Sequence, residues 1–122
     1  MVEEERKLRW GVSLAIDFDG VLHRYSKGWC DGVIYDSPCE NAVESMWELV
    51  RRGYEPYVLT AREDHEAVRE WLEKWDFPEL EVSNVKRPAL AYIDDKAMHF
   101  DNWAETLDQI PDPVARLWTG DR

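Results

Sequence analysis

Val12-Ser13-Leu14-Ala15-Ile16-Asp17-Phe18-Asp19-Gly20 is the stretch that decides the fold. An apolar run this short that stops at an acid and a glycine reads as a buried strand, parallel and central, because a strand covered on both faces needs no polar alternation. Working outward, Tyr57-Val58-Leu59-Thr60 reads as a second strand with Pro56 near its start. Glu81-Val82-Ser83 is a weak third, and Ala89 to Ile93 is a fourth that again ends at an acid.

Helical patterns lie between these strands. Ser37-Pro38-Cys39-Glu40 has the form of a capping box with proline at the first helical position. The helix it predicts carries Ala42, Val43, Met46, Trp47, Leu49 and Val50 on one stripe and stops at Gly53. Glu63 to Trp75 repeats the pattern through Ala67, Val68, Trp71, Leu72 and Trp75, so Trp47, Trp71 and Trp75 are expected in the core. Asn102-x-x-Glu105 predicts the cap of a last helix running to Gln109. Residues 21–36, rich in Gly, Ser and aromatics, read as a loop or hairpin flap, and residues 111–122 as an extended tail. The charged lead-in Val2 to Arg9 fits a short strand or a helix equally well.

Strands alternating with helices through short links predict an α/β fold: a Rossmann-like three-layer sandwich around a central parallel sheet, with residues 1–122 as a single domain. Ligands bind such sheets at the carboxyl ends of the strands. Asp17 and Asp19 end the first strand, Thr60 the second, Asp94 and Asp95 the fourth, and Lys86 just precedes the fourth. Acids, a hydroxyl and an amine would therefore meet on one rim.

Composition narrows the chemistry. The 122 residues carry a net charge of −11, which argues against nonspecific nucleic-acid binding and obliges any phosphorylated substrate to find local positive charge. No apolar run reaches the ~20 residues that span a bilayer. The charged opening has no apolar stretch behind it, so a cytoplasmic chain is expected. Cys30 and Cys39, outside any C-x-x-C pair, are expected as free thiols.

Several carboxylates brought together repel one another, and a hard divalent cation relieves that; an all-oxygen donor set suits Mg²⁺. A carboxylate beside such an ion can attack phosphorus, while a second carboxyl protonates the leaving oxygen and later activates water. At this point a family resemblance is visible. Asp17-Phe18-Asp19-Gly20-Val21 after an apolar strand resembles the first motif of the haloacid dehalogenase (HAD) superfamily, Leu59-Thr60-Ala61-Arg62 the second, and Lys86 with Ala91-Tyr92-Ile93-Asp94-Asp95 the third and fourth. The stretches around Asn84-Val85-Lys86 and Tyr92 to Lys96 are similar to small capless members, with Arg87 standing where many relatives have a proline or small residue.

The resemblance implies a HAD-like fold and a Mg²⁺-dependent phosphomonoester hydrolase working through an aspartyl-phosphate, with a small phosphorylated metabolite as substrate. It implies Asp17 as nucleophile and metal ligand, and Asp19 as general acid/base whose main-chain carbonyl also meets the metal. Thr60 and Ala61 would bind phosphate, Lys86 would pair with Asp17 and the phosphate, Asp94 would complete the metal shell, and Asp95 would ligate directly or from outside it. Asp19 favours phosphotransfer over dehalogenation, since the dehalogenases have no acid there.

Thr60 and Lys86 are about 26 residues apart, and Asp17 and Thr60 roughly 43, which the flap, helices and strands consume without leaving room for a cap domain. An open site suits a bulky substrate or closure by a second copy of the chain in a homo-oligomer. Blander readings exist for each residue: an Asp-rich turn at 17–19 and 94–95, a β-forming Thr60, a solvated Lys86. His23, His65 and His99 read as bystanders beside a carboxylate site already complete, with His23, just past Asp19, the one of the three placed where it could face substrate. Arg62 is expected either to touch the leaving group or to cap the next helix, and Tyr25 and Trp29 to pack the flap down rather than stack on a ligand. Two other functions compete: the same chemistry on a nucleic-acid end, if Arg51, Arg52, Lys86 and Arg87 form a basic patch at the rim, and a noncatalytic binding module.

Overall fold

Strand β1 (Ser13–Asp17) is buried along nearly its whole length, with Leu14 and Ile16 fully excluded from solvent. A strand so covered needs a neighbour on each edge and a layer on each face. The computed structural model, which describes residues 12–94 and 102–110, supplies both edges. β1 pairs in parallel with β2 (Glu55–Leu59) on one side and β4 (Ala91–Ile93) on the other. The short β3 (Val82–Ser83) extends β2, giving a four-stranded parallel sheet of order β3-β2-β1-β4. This α/β arrangement is compatible with a Rossmann-like sandwich and keeps the first strand central, as the apolar run predicts. No helix among the described residues is long and apolar enough to cross a membrane.

Helix α1 (Ala42–Arg51) packs on β2, α2 (His65–Lys74) on β3, and α3 (Trp103–Gln109) against α1. The core joins Leu14, Ile16 and Val58 of the sheet to Met46, Leu49, Val68 and Leu72 of the helices and to Trp103. Asn102 caps α3 as its spacing predicts, accepting the Glu105 N–H at 2.9 Å. Asp64 caps α2, accepting the Ala67 N–H at 3.0 Å, so that helix begins two residues later than its apolar pattern implies.

The capping box at residues 37–40 does not form. α1 starts at Ala42 with Asn41 at its head in the left-handed region (φ 65°) and no side-chain cap. The reason is long-range: Arg24 N–H donates to Ser37 O and Cys39 N–H to Leu22 O, with His23 bridging Pro38, so 37–39 lies extended against the flap. Trp71 is in the core and Trp75 is partly buried against it, but Trp47 is 52% exposed, its indole N–H bonded to Asp76 O at 2.8 Å. Residues 1–11, Asp95, His99 and the tail at 111–122 lie outside the described residues.

Candidate active site

The register that builds the sheet also builds the rim. Asp17 lies opposite Leu59, so Thr60 follows one step along the neighbouring strand. On the other side Ile16 lies opposite Ile93, so Asp17 and Asp94 are the next residues at adjacent strand ends. Adjacent strands run ~4.8 Å apart, which brings the two acids side by side rather than to opposite faces of the molecule. Asp17, Asp19, Thr60 and Ala61 line one cleft of about 640 Å³ together with flap and α2 residues.

Local bonds set these side chains. Phe18 N–H donates to Asp17 Oδ1 at 2.9 Å, fixing the carboxylate's orientation. Thr60 N–H donates to Ser83 O, and Thr60 Oγ1 accepts the Arg62 N–H at 3.1 Å. A hydroxyl that accepts in this way still has its own hydrogen to donate to a ligand oxygen.

Asp19 is held by three donors. Arg62 grips both carboxylate oxygens, Nε to Oδ2 at 2.9 Å and Nη2 to Oδ1 at 3.0 Å. The third is His23 Nδ1, 2.8 Å from Oδ1. The tautomer follows from the other ring nitrogen: Nε2 lies 3.1 Å from the Asp36 N–H and must accept, so Nδ1 carries the hydrogen and donates. His23 is fully buried behind Asp19, stacked on Phe18 and edge-on to Trp71, so it stays outside the cleft lining and meets the site only through Asp19. Arg62 does not cap α2; it is 6% exposed, lines the cleft, and its remaining Nη1 donates to Gly32 O of the flap. Sequence reasoning noticed Arg62 beside Thr60 but had no signal for a partner 43 residues away.

The flap is pinned by Asp36. Its N–H goes to His23, its carbonyl accepts the Trp71 indole N–H at 3.0 Å, and its carboxylate accepts Ser26 Oγ, Ser26 N–H and Ser37 N–H. The Ser26 bonds hold the Asp36 carboxyl down at about 2. Tyr25 is half-buried and packs on His23 at 5.9 Å between ring centroids, in line with a packing role. Trp29 is different: 61% exposed, it stands with its ring 5.0 Å from the Arg62 guanidinium carbon. Cys30 and Cys39 are free thiols, and burial pushes Cys39 up.

Lys86 is exposed on the segment before β4, its Nζ 4.6 Å from the centre of the Tyr92 ring, and is not among the side chains lining the cleft. Nor do Arg51, Arg52 and Arg87 line it. Arg51 and Arg52 both bind Glu48, and Arg87 binds Glu81 with two hydrogen bonds.

Among the described residues no group of three or more His, Cys, Asp or Glu side chains is set to hold a metal ion. Arg62 and His23 already satisfy the Asp19 carboxylate, which removes one acid from the repulsion that a cation would relieve. Asp17 and Asp94 place carboxylate oxygens at neighbouring strand ends. Mg²⁺ takes one or two protein carboxylates and completes its shell with water and substrate oxygens, so this donor set fits it. No known family model matches the chain, and no solved structure matches it significantly.

Proposed function

We propose that the chain is a Mg²⁺-dependent phosphomonoester hydrolase of the HAD type, working through Asp17. The observation that carries this reading is the carboxyl edge of β1: Asp17 there shares a cleft with Thr60, Ala61 and Asp19 and neighbours Asp94 on the next strand. A nucleophile, a hydroxyl donor and a second carboxyl within one cleft are the parts that stepwise phosphoryl transfer requires.

In this reading Asp17 and Asp94 would hold the ion, with Asp95 as a further oxygen donor. When bound, Mg²⁺ would neutralise charge on the phosphoryl oxygens. Asp17, oriented by the Phe18 N–H, attacks phosphorus; the Asp17 O–P bond forms as the bond to the leaving oxygen breaks. Thr60 donates its hydroxyl hydrogen to a phosphoryl oxygen. Lys86, which lies against Tyr92 outside the cleft lining, would have to leave that ring to join the phosphate. Asp19 gives a proton to the leaving oxygen, then takes one from the water that attacks the aspartyl-phosphate, releasing inorganic phosphate and restoring Asp17. Both Asp19 oxygens accept hydrogen bonds from Arg62, so each proton transfer requires one Arg62 contact to loosen, and the proton given to the leaving oxygen is first taken up from solvent.

The test is phosphate release from 4-nitrophenyl phosphate with Mg²⁺ present. Activity is expected to vanish with EDTA, to return with added Mg²⁺, and to fall at least ~10³-fold in Asp17→Asn, in which a neutral amide cannot form the covalent intermediate. Undiminished turnover by D17N would overturn the reading.

A further inference from the structure

We propose that the outer half of the cleft selects the leaving group: a flat aromatic ring, carrying no negative charge beyond the phosphate, stacked on Trp29. The proposal rests on the phosphotransfer reading above and names the substrate class of that site.

The cleft is larger than a phosphate needs. At about 640 Å³ it falls in the range that encloses an organic ligand of nucleoside size. Its inner end is polar, with Asp17 and Thr60, while Trp29, Ile34 and Ala67 give the outer walls an apolar character. Trp29 is the largest of these and the most exposed. A tryptophan left 61% open on a flap forgoes most of the burial that such a ring normally gains, and Trp29, unlike the exposed Trp47, lines the cleft, where a base or aryl ring can stack on it.

The platform is preorganised. Tyr35 Oη accepts the Lys27 N–H at 2.7 Å and donates to Gly28 O at 3.0 Å, bracing the chain just before Trp29. Gly32, held at φ 82°, offers its carbonyl to Arg62 while the Trp29 ring edge lies within ordinary contact of the position its Cβ would take. The guanidinium beside the Trp29 ring is thus fixed by Asp19 on one side and by the flap on the other. A ring stacked on Trp29 therefore loses little to ordering of the protein.

Charge sets the second half of the selection. Glu63 and Asp64 line the cleft beyond Arg62. Among the described residues that line it, Arg62 is the single cation, and its donors are engaged by Asp19 and Gly32. A leaving group bearing a carboxylate or a second phosphate would meet acids with no counter-charge, and a polynucleotide would meet them repeatedly. A nucleoside or aryl monophosphate would not.

The experiment compares kcat/KM for adenosine monophosphate, glycerol phosphate and 3-phosphoglycerate at fixed Mg²⁺, with binding of adenosine monophosphate to D17N by calorimetry as a readout that needs no turnover. The aromatic substrate is expected to exceed glycerol phosphate by about tenfold, the worth of one stacked base, and 3-phosphoglycerate to be the poorest of the three. Trp29→Phe should keep the preference and Trp29→Ala should bring it close to unity, with a parallel loss of binding in the D17N background. An unchanged ratio and unchanged binding in W29A would overturn the proposal while leaving the phosphatase reading intact. Absence of turnover on all three substrates together with Trp29-dependent binding would instead overturn the phosphatase reading and leave the stacking site standing.

Discussion

At the scale of single residues, Asp19 is the position where structure and chemistry make competing demands. Its bond to Arg62 is partly buried: the Arg62 side chain is 5% exposed and that of Asp19 21%. Removing one partner of a buried pair leaves the other charge without solvent or counter-charge, which costs ~3–5 kcal/mol. Asp19→Asn should therefore lose about 3 kcal/mol of stability, at the lower end because Asp19 borders the open cleft. Asp17→Asn keeps an oxygen to accept the Phe18 N–H and should lose less than about 1 kcal/mol. Urea denaturation of the two variants separates them, and D19N unfolding at the wild-type midpoint would refute the Arg62 pairing. A loss of activity in D19N is thus no measure of proton transfer until its folded fraction is known, whereas D17N is the cleaner probe.

At the scale of elements, α1 and α2 end in the same way with different residues. After α1, Gly53 sits at φ 95° and the Tyr54 N–H reaches back to Leu49 O at 3.0 Å. After α2, Asp76 sits at φ 64° and the Phe77 N–H reaches Leu72 O at 3.0 Å. Both are left-handed closures in which a side chain is tolerated at a cost. Gly53→Ala should cost at least ~1 kcal/mol, and Asp76→Gly should gain ~0.5 kcal/mol; thermal melts shifting in the same direction for both would contradict the shared geometry. The pair also shows what the sequence reveals. Gly53 announces a helix stop because glycine is the usual residue for that conformation, while Asp76 carries no such mark. The strands and the acids at their ends were legible because burial on both faces imposes an unbroken apolar run. The 37–40 capping signature misled because the flap claims that segment first, and a pairing with residues 22–24 is invisible to any local pattern. For the same reason Asp17 and Thr60 could be read from their own strand ends, but the Arg62–Asp19–His23 network could not.

At the scale of the whole molecule, the charge balance of −11 works against the proposed substrate class, since every phosphomonoester approaches an anionic surface. The basic residues do little to offset this at the site: Arg51, Arg52 and Arg87 are bound to glutamates, and Lys86 lies against Tyr92. Long-range repulsion is screened as the Debye length shrinks from ~30 Å at 0.01 M salt to ~8 Å at 0.15 M. At saturating Mg²⁺, kcat/KM for a nucleoside monophosphate should therefore rise about two- to fivefold over that interval, carried by KM rather than kcat. A protein that drew its substrate in by a basic surface would lose affinity over the same range. A fall in kcat/KM with salt would mean that a local positive field outweighs the net charge at the cleft, and Lys86→Ala would then identify its source. A rise would mean that the substrate is held by what the cleft itself provides, the strand-end oxygens with their ion and the Trp29 ring, and not by attraction from a distance.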